Sequence, residues 1–213
     1  MTSRLFPAPA LDRTDPPGRP TLHVAPPATE IDLEMAARGA ATMLAALGVD
    51  VTRDGLRETP QRMVRAYSEL FTPEPFNLTT FPNDEGYDEL VLARSIPLRS
   101  VCEHHLLPFF GVAHVGYLPG ERILGLSKLA RVVQHFSARP QVQERLTKQI
   151  ADWLHAELTP AGVGVVIAAE HTCMTIRGVQ ARGSTTVTST LIGALREDQR
   201  SRQEFLSLTR NAA

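Results

Sequence analysis

Ser100–Phe136, reading SVCEHHLLPFFGVAHVGYLPGERILGLSKLARVVQHF, holds in one run a thiol, two imidazoles, two strand patterns and a helix start. Cys102-Glu103-His104-His105 brings a sulfur and two ring nitrogens within four positions. Phe109 to Tyr117 reads as a strand, a Leu-Pro-Gly-Glu turn follows, and Arg122 to Leu126 reads as a second strand. From Ser127 the period changes: Leu129, Val132, Val133 and Phe136 recur at helical spacing until Arg139-Pro140 breaks them.

Outward from this run the two patterns alternate. Glu89 to Val101 precedes it as a strand. After it, Gln141 to about Leu158 predicts a helix burying Val142, Leu146, Ile150, Trp153 and Leu154. Strands at Val163 to Cys173 and Ser184 to Thr190 come next, then a short terminal helix near Arg200 to Thr209. Strand pairs separated by helices imply an α+β fold, an antiparallel sheet with helices packed on one face.

Towards the start, Thr72 to Tyr87 carries too many turn formers for regular structure. Thr59-Pro60 offers an N-cap and a proline at the first helical position, with Met63, Val64, Tyr67, Leu70 and Phe71 as the buried stripe. Leu33, Met35, Ala36, Met43, Leu44 and Leu47 predict an amphipathic helix from Ile31 that Gly48 stops. Residues 1–29, rich in Pro, Ala and Thr, read as a disordered tail, 30–80 as an N-terminal helical segment and 81–213 as the catalytic domain.

With 213 residues, 43% of them hydrophobic, the chain can bury a real core as one moderate domain. A formal charge of -1 gives no bulk attraction to nucleic acid or to an anionic membrane, so neither is an expected partner. No run is apolar enough to span a bilayer and the start lacks a secretory h-region, which places the chain in the cytoplasm. There both cysteines stay reduced, so metal binding or catalysis outranks a disulfide.

Cys102 and His105, three apart, can reach one metal from a turn. In an extended Val163–Cys173 the residues Val165, Ile167, Ala169, His171 and Cys173 share a face, which turns His171 and Cys173 the same way. Two cysteines and one histidine leave a fourth zinc position for water, the pattern of a catalytic site. Buried core cysteine is the competing reading, but each cysteine here has histidine within three residues. His104 and His171 suit proton transfer near neutral pH, or second-sphere support of the metal. Glu103 reads as a solvated or backbone-bonding carboxylate.

Lys128 and Arg131 lie on one helix face at an N-terminus, where unpaired N–H groups favour an anion, and Arg139 and Arg177 are candidates to join them. No GxxxxGK[ST] loop is present, so phosphate would be held by side chains and a helix end.

With CEHHLLPFFGVAHVGYLP, GLSKLARVV, RPQVQERLT, EHTCMTIRGV and TSTLIGALRED in order, the sequence from about Ile31 to Arg210 resembles GTP cyclohydrolase I. That resemblance implies the tunnelling fold and zinc held by Cys102, His105 and Cys173. It implies hydrolytic opening of the GTP imidazole ring by a zinc-activated water, loss of C8 as formate, ribose rearrangement and closure to 7,8-dihydroneopterin triphosphate, the first step of pterin and folate biosynthesis. His104 and His171 match proton-transfer residues, and Ser127 one implicated in the ribose step. Glu144, with Gln143 beside it, matches the guanine-edge carboxylate. Lys128, Arg131 and Arg177 match the triphosphate-holding cations, with Arg62 reaching in from a neighbouring subunit. Family members form toroidal decamers with sites between subunits, so a homodecamer is expected. Two competing readings are a nitrile reductase of the same fold, which lacks the zinc triad, and a closed structural zinc.

Overall fold

The computed structural model describes residues 31–210 together with the backbone of Leu11–Asp12 (β1) and Leu22–Val24 (β2). Apart from those two strands, the tail expected to be disordered lies outside the described residues. Helix α1, Leu33–Ala46, opens where the Asp32 carboxylate accepts from the Met35 N–H at 2.8 Å, a side-chain cap. Its apolar stripe is present but uncovered: Met35 is 61% exposed and only Ala40 is buried. Helix α2, Thr59–Phe71, starts one residue earlier than expected, with Glu58 as N-cap and Pro60 in the first turn. The stripe Met63, Val64, Tyr67, Leu70 and Phe71 is half-buried in the single chain.

The segment expected to be irregular contains two short strands, β3 (Phe76–Leu78) and β4 (Thr80–Pro82). Phe76 and Leu78 alternate into the core while Asn77 points out. Strands of three residues each are too short to establish a period in sequence. β3 pairs with β2, and β4 pairs with β7 (Arg122–Leu124).

The main sheet adds β5 (Val91–Cys102), β6 (Pro108–Leu118), β8 (Pro140–Gln141), β9 (Gly162–His171) and β10 (Thr186–Gly193) in the order β10-β9-β6-β5-β8. Its three long pairings are antiparallel, as expected, and the short β5–β8 pairing is parallel. Helices α3 (Ser127–Ser137) and α4 (Gln143–Leu158) cover one face. Leu129, Val132, Val133, Leu146, Ile150 and Leu154, all fully buried, meet Phe109, Val115, Val165 and Ile167 there. Each such side chain contributes about 1.5–3 kcal/mol on burial.

Beyond His171 the chain turns through α5 (Thr172–Thr175), and after β10 come α6 (Ala194–Glu197) and α7 (Gln199–Arg210). α7 anchors on the sheet through Phe205, buried with Val166 and Leu195 in a cluster separate from the main core. Glycine makes the seat: a Cβ at Gly164 would lie 2.7 Å from the Phe205 ring.

Candidate metal centre

Cys102 is the last residue of β5, held at the sheet by its pairing with Gln141 of β8. The chain then folds back on itself: Leu106 N–H donates to Cys102 O at 2.8 Å, and Cys102 N–H to Leu107 O at 2.9 Å. Leu106 takes the left-handed conformation, φ 53°, to close this turn. The Tyr67 hydroxyl of α2 donates to Leu106 O at 2.8 Å, so the N-terminal helices brace the turn that carries His104 and His105.

The second half of the centre departs from the strand expectation. β9 ends at His171, and Cys173 sits in the helical turn α5, so strand alternation does not aim it. Instead the Thr172 hydroxyl donates to Pro108 O at 2.6 Å, which pins α5 to the start of β6 beside the Cys102 turn. A Thr-Cys-Met-Thr turn has no apolar period long enough to reveal itself in sequence.

The expected triad does assemble. One ligand atom each from Cys102, His105 and Cys173 lie within 4.8 Å of one another. Cys102 Sγ stands 3.7 Å from His105 Nδ1, against about 3.3–3.8 Å between ligands of a tetrahedral ion with bonds of 2.0–2.3 Å. Both sulfurs are free thiols and buried, while His105 is exposed. Burial pushes the Cys173 thiol up, its neighbour Cys102 pushes it further, and the Arg177 guanidinium pulls it back. A divalent cation between the sulfurs would remove the first two penalties, so the donor set fits a thiophilic metal such as zinc. His104 Nδ1 is 3.9 Å from the Cys102 sulfur but outside the three-way cluster.

Around the triad, β9 and α4 bring further groups. His171 stacks on Phe109, ring centroids 4.5 Å apart and planes 9° from parallel, as their pairing across β6 and β9 dictates. Its Nε2 lies 2.7 Å from Gln143 Oε1 at the start of α4. Burial lowers the His171 pKa, and the Glu144 carboxylate opposes that shift. One chain therefore gathers Cys102, His104, His105, Gln143, Glu144, His171, Cys173 and Arg177.

Five residues named from the sequence stand elsewhere. Ser127 and Lys128 begin α3, just after Leu124, whose N–H donates to Tyr117 OH at 2.8 Å. Tyr117 faces Val91 at the start of β5. The far end of α3, Ser137, accepts from the Ser100 hydroxyl at 2.7 Å, two residues before Cys102. Eleven helical residues span roughly 15 Å, so Ser127 and Lys128 lie a helix length from the α3 end that meets Ser100. Arg131, one turn further, is exposed and lines a separate cavity of about 430 Å³ with Arg99, Gln134 and His135. Arg62 is exposed and paired with Glu58 at 2.8 Å. Arg139, a candidate anion ligand, is 7% exposed and turned inward, its Nη2 donating to His135 O at 3.4 Å.

Glu103 is not merely solvated: it forms an ion pair with Arg145, whose Nε also donates to Gln141 Oε1 at 3.0 Å. Positions 42 apart leave no spacing signal for such a pair.

Fold and site together define an α+β protein with a two-cysteine, one-histidine candidate metal centre. Residues 36–210 match the family GTP cyclohydrolase I. A GTP cyclohydrolase 1 of Synechococcus sp. (strain JA-2-3B'a(2-13)) is 53% identical over 174 residues, 80% of this chain and 76% of that protein. Its counterpart from Aquifex aeolicus (strain VF5) is 49% identical over 180 residues, 84% and 98% of the two chains. That of Mycobacteroides abscessus is 50% identical over 198 residues, 90% and 93%. Among solved structures, the archaeosine synthase QueF-Like in the apo form overlays at TM-score 0.39 and 19% identity, covering 49% of this chain and 93% of that one. The chain belongs to the GTP cyclohydrolase I family.

Proposed function

We propose that this protein is a zinc-dependent enzyme that opens the imidazole ring of GTP, releases C8 as formate and forms 7,8-dihydroneopterin triphosphate, the first step of folate biosynthesis. The observation that carries the reading is the Cys102, His105, Cys173 cluster with two further histidines and a carboxylate beside it, in a chain of this family. Bound zinc supplies a Lewis acid that makes a water molecule nucleophilic near neutral pH.

The rest is the work of the chain's own groups. Glu144 accepts hydrogen bonds from the adjacent N–H groups of guanine and repels the acceptor that adenine presents there. Burial favours the neutral form of His171, which suits it to take and return a proton during ring opening, and His104 delivers one to a purine nitrogen. Arg177 meets the triphosphate from the same chain. Ser127, serving the ribose step, and the cations Lys128, Arg131 and Arg62 come from neighbouring copies.

That assignment makes the protein a homo-oligomer, which we take to be a toroidal decamer of tunnelling-fold subunits. The start of α3, a helix length of roughly 15 Å from the end that meets Ser100 near the triad, supports it, as does the uncovered stripe of α1. No described helix is long and apolar enough to cross a membrane. We place the enzyme in the cytoplasm, with no nucleic-acid or membrane partner, residues 1–29 as a tail, 30–80 as a helical segment and 81–213 as the catalytic domain.

Purified protein incubated with GTP is expected to release formate and a pterin that fluoresces after oxidation, in equal amounts. Cys173→Ala is expected to lose both zinc and turnover. Full turnover by the zinc-free variant contradicts the proposal.

A further inference from the structure

Gln143 opens α4 at only 2% exposure, and every hydrogen-bonding direction around it can be assigned. Its Nε2 lies 3.1 Å from Ile167 O, 3.0 Å from Thr186 O and 3.1 Å from Oγ1 of Thr188, the cross-strand neighbour of Ile167. Two of those are carbonyl oxygens that only accept, so the amide nitrogen, and not the oxygen, must face them. The Gln143 oxygen is thereby turned to His171 Nε2 at 2.7 Å, and an amide oxygen only accepts.

Neighbouring hydroxyls lock the same sense. Thr147 Oγ1 donates to Gln143 O at 2.7 Å, one turn back on α4. Its single hydrogen is used there, so the 2.6 Å contact between Thr147 and Thr188 takes its hydrogen from Thr188. Thr188 Oγ1 is then free to accept from Gln143. Nothing in this ring of bonds can be reversed without setting two acceptors against each other.

We infer that Gln143 is a positioning residue: it holds His171 with the hydrogen on Nε2, so that Nδ1 is the atom through which this imidazole takes and returns a proton. The inference rests on the proton-transfer role proposed for His171. It also gives Gln143 a duty other than guanine contact, because both its N–H groups are committed to β9 and β10. Guanine is left to Glu144. Thr188, on the edge strand β10, becomes the outermost member of the arrangement.

The experiment uses the full-length, zinc-loaded assembly with histidine labelled by nitrogen-15, the His171 signals being identified by their loss in His171→Gln. The expected spectrum has a protonated Nε2 and a bare Nδ1 in the wild type, and mixed tautomers in Gln143→Leu. Turnover of GTP by Gln143→Leu should fall about 10- to 100-fold in kcat, the usual cost of removing a group that orients a site residue, with KM little changed. Thr188→Val should move both readouts the same way more weakly, and Thr188→Ser, which keeps the hydroxyl, should restore them. If Gln143→Leu does not fold, the Thr188 pair carries the test. A hydrogen on Nδ1 in the wild type overturns the inference, as does a rise confined to KM, which marks guanine contact instead. Wild-type protein with the expected tautomer and no action on GTP would leave this arrangement standing and sink the proposed function.

Discussion

Glu144 carries the expected choice of base, and its contribution can be bounded. A hydrogen bond to a charged group contributes about 1.5–3 kcal/mol, so Glu144→Gln should lower kcat/KM for GTP by about 10- to 100-fold. The measurement is steady-state kinetics on assembled protein, and an unchanged kcat/KM would remove Glu144 from the substrate pocket. His135 makes a second residue-scale prediction, about stability. It is 1% exposed on α3, and burial, helped by the Arg139 charge, drops its pKa from 6.5 to about 4. The unfolded chain therefore takes up a proton at higher pH than the folded one. The contribution of His135 to stability should be full above pH 6.5 and be lost as the pH falls from there towards 4, by up to ~3 kcal/mol. His135→Gln, which keeps an acceptor for Arg139, should flatten this slope in denaturant melts run at successive pH values. An unchanged slope would mean that another group sets the acid limit.

Among the elements, β6 and β9 leave no room for a side chain at Gly111, where a Cβ would stand 2.0 Å from Ala168 O. Gly111→Ala must push the two strands apart just before Phe109 and His171 stack. Loss of soluble, metal-loaded protein is the expected outcome, and a normal melting temperature would contradict the close approach. Gly164→Ala acts on the other face: it evicts the Phe205 ring, and hydrogen exchange should then show α7 opening while β9 stays protected. The long elements were legible because each repeats its signal. Leu129, Val132, Val133 and Phe136 state the helical period of α3 several times over, and the buried Val163, Val165, Ile167 and Ala169 mark β9. The triad was legible because Cys102 and His105 are close in sequence. What stayed hidden is local or distant. The four-residue α5 carries no period, so strand alternation misplaces Cys173, which groups with Cys102 and His105 by another route. The Glu103–Arg145 pair and the Gln143 arrangement join segments that only the folded sheet brings together.

Over the whole molecule, the proposed assignment divides the active site between copies, with the cations of α3 brought by a neighbour. Lys128→Ala and Cys173→Ala should each be nearly inactive alone. Co-assembled, they should regain a fraction of wild-type turnover, because some interfaces then combine an intact triad with an intact Lys128. No recovery in mixed assemblies would place Lys128 within its own chain's site or outside the site altogether. The account stands most heavily on the metal itself. X-ray absorption at the zinc edge of the assembled protein, with and without GTP, should show two sulfurs at about 2.3 Å, one nitrogen at about 2.0–2.1 Å and one light atom whose signal changes when GTP binds. Four protein ligands, unmoved by GTP, or a protein that holds no zinc would contradict it.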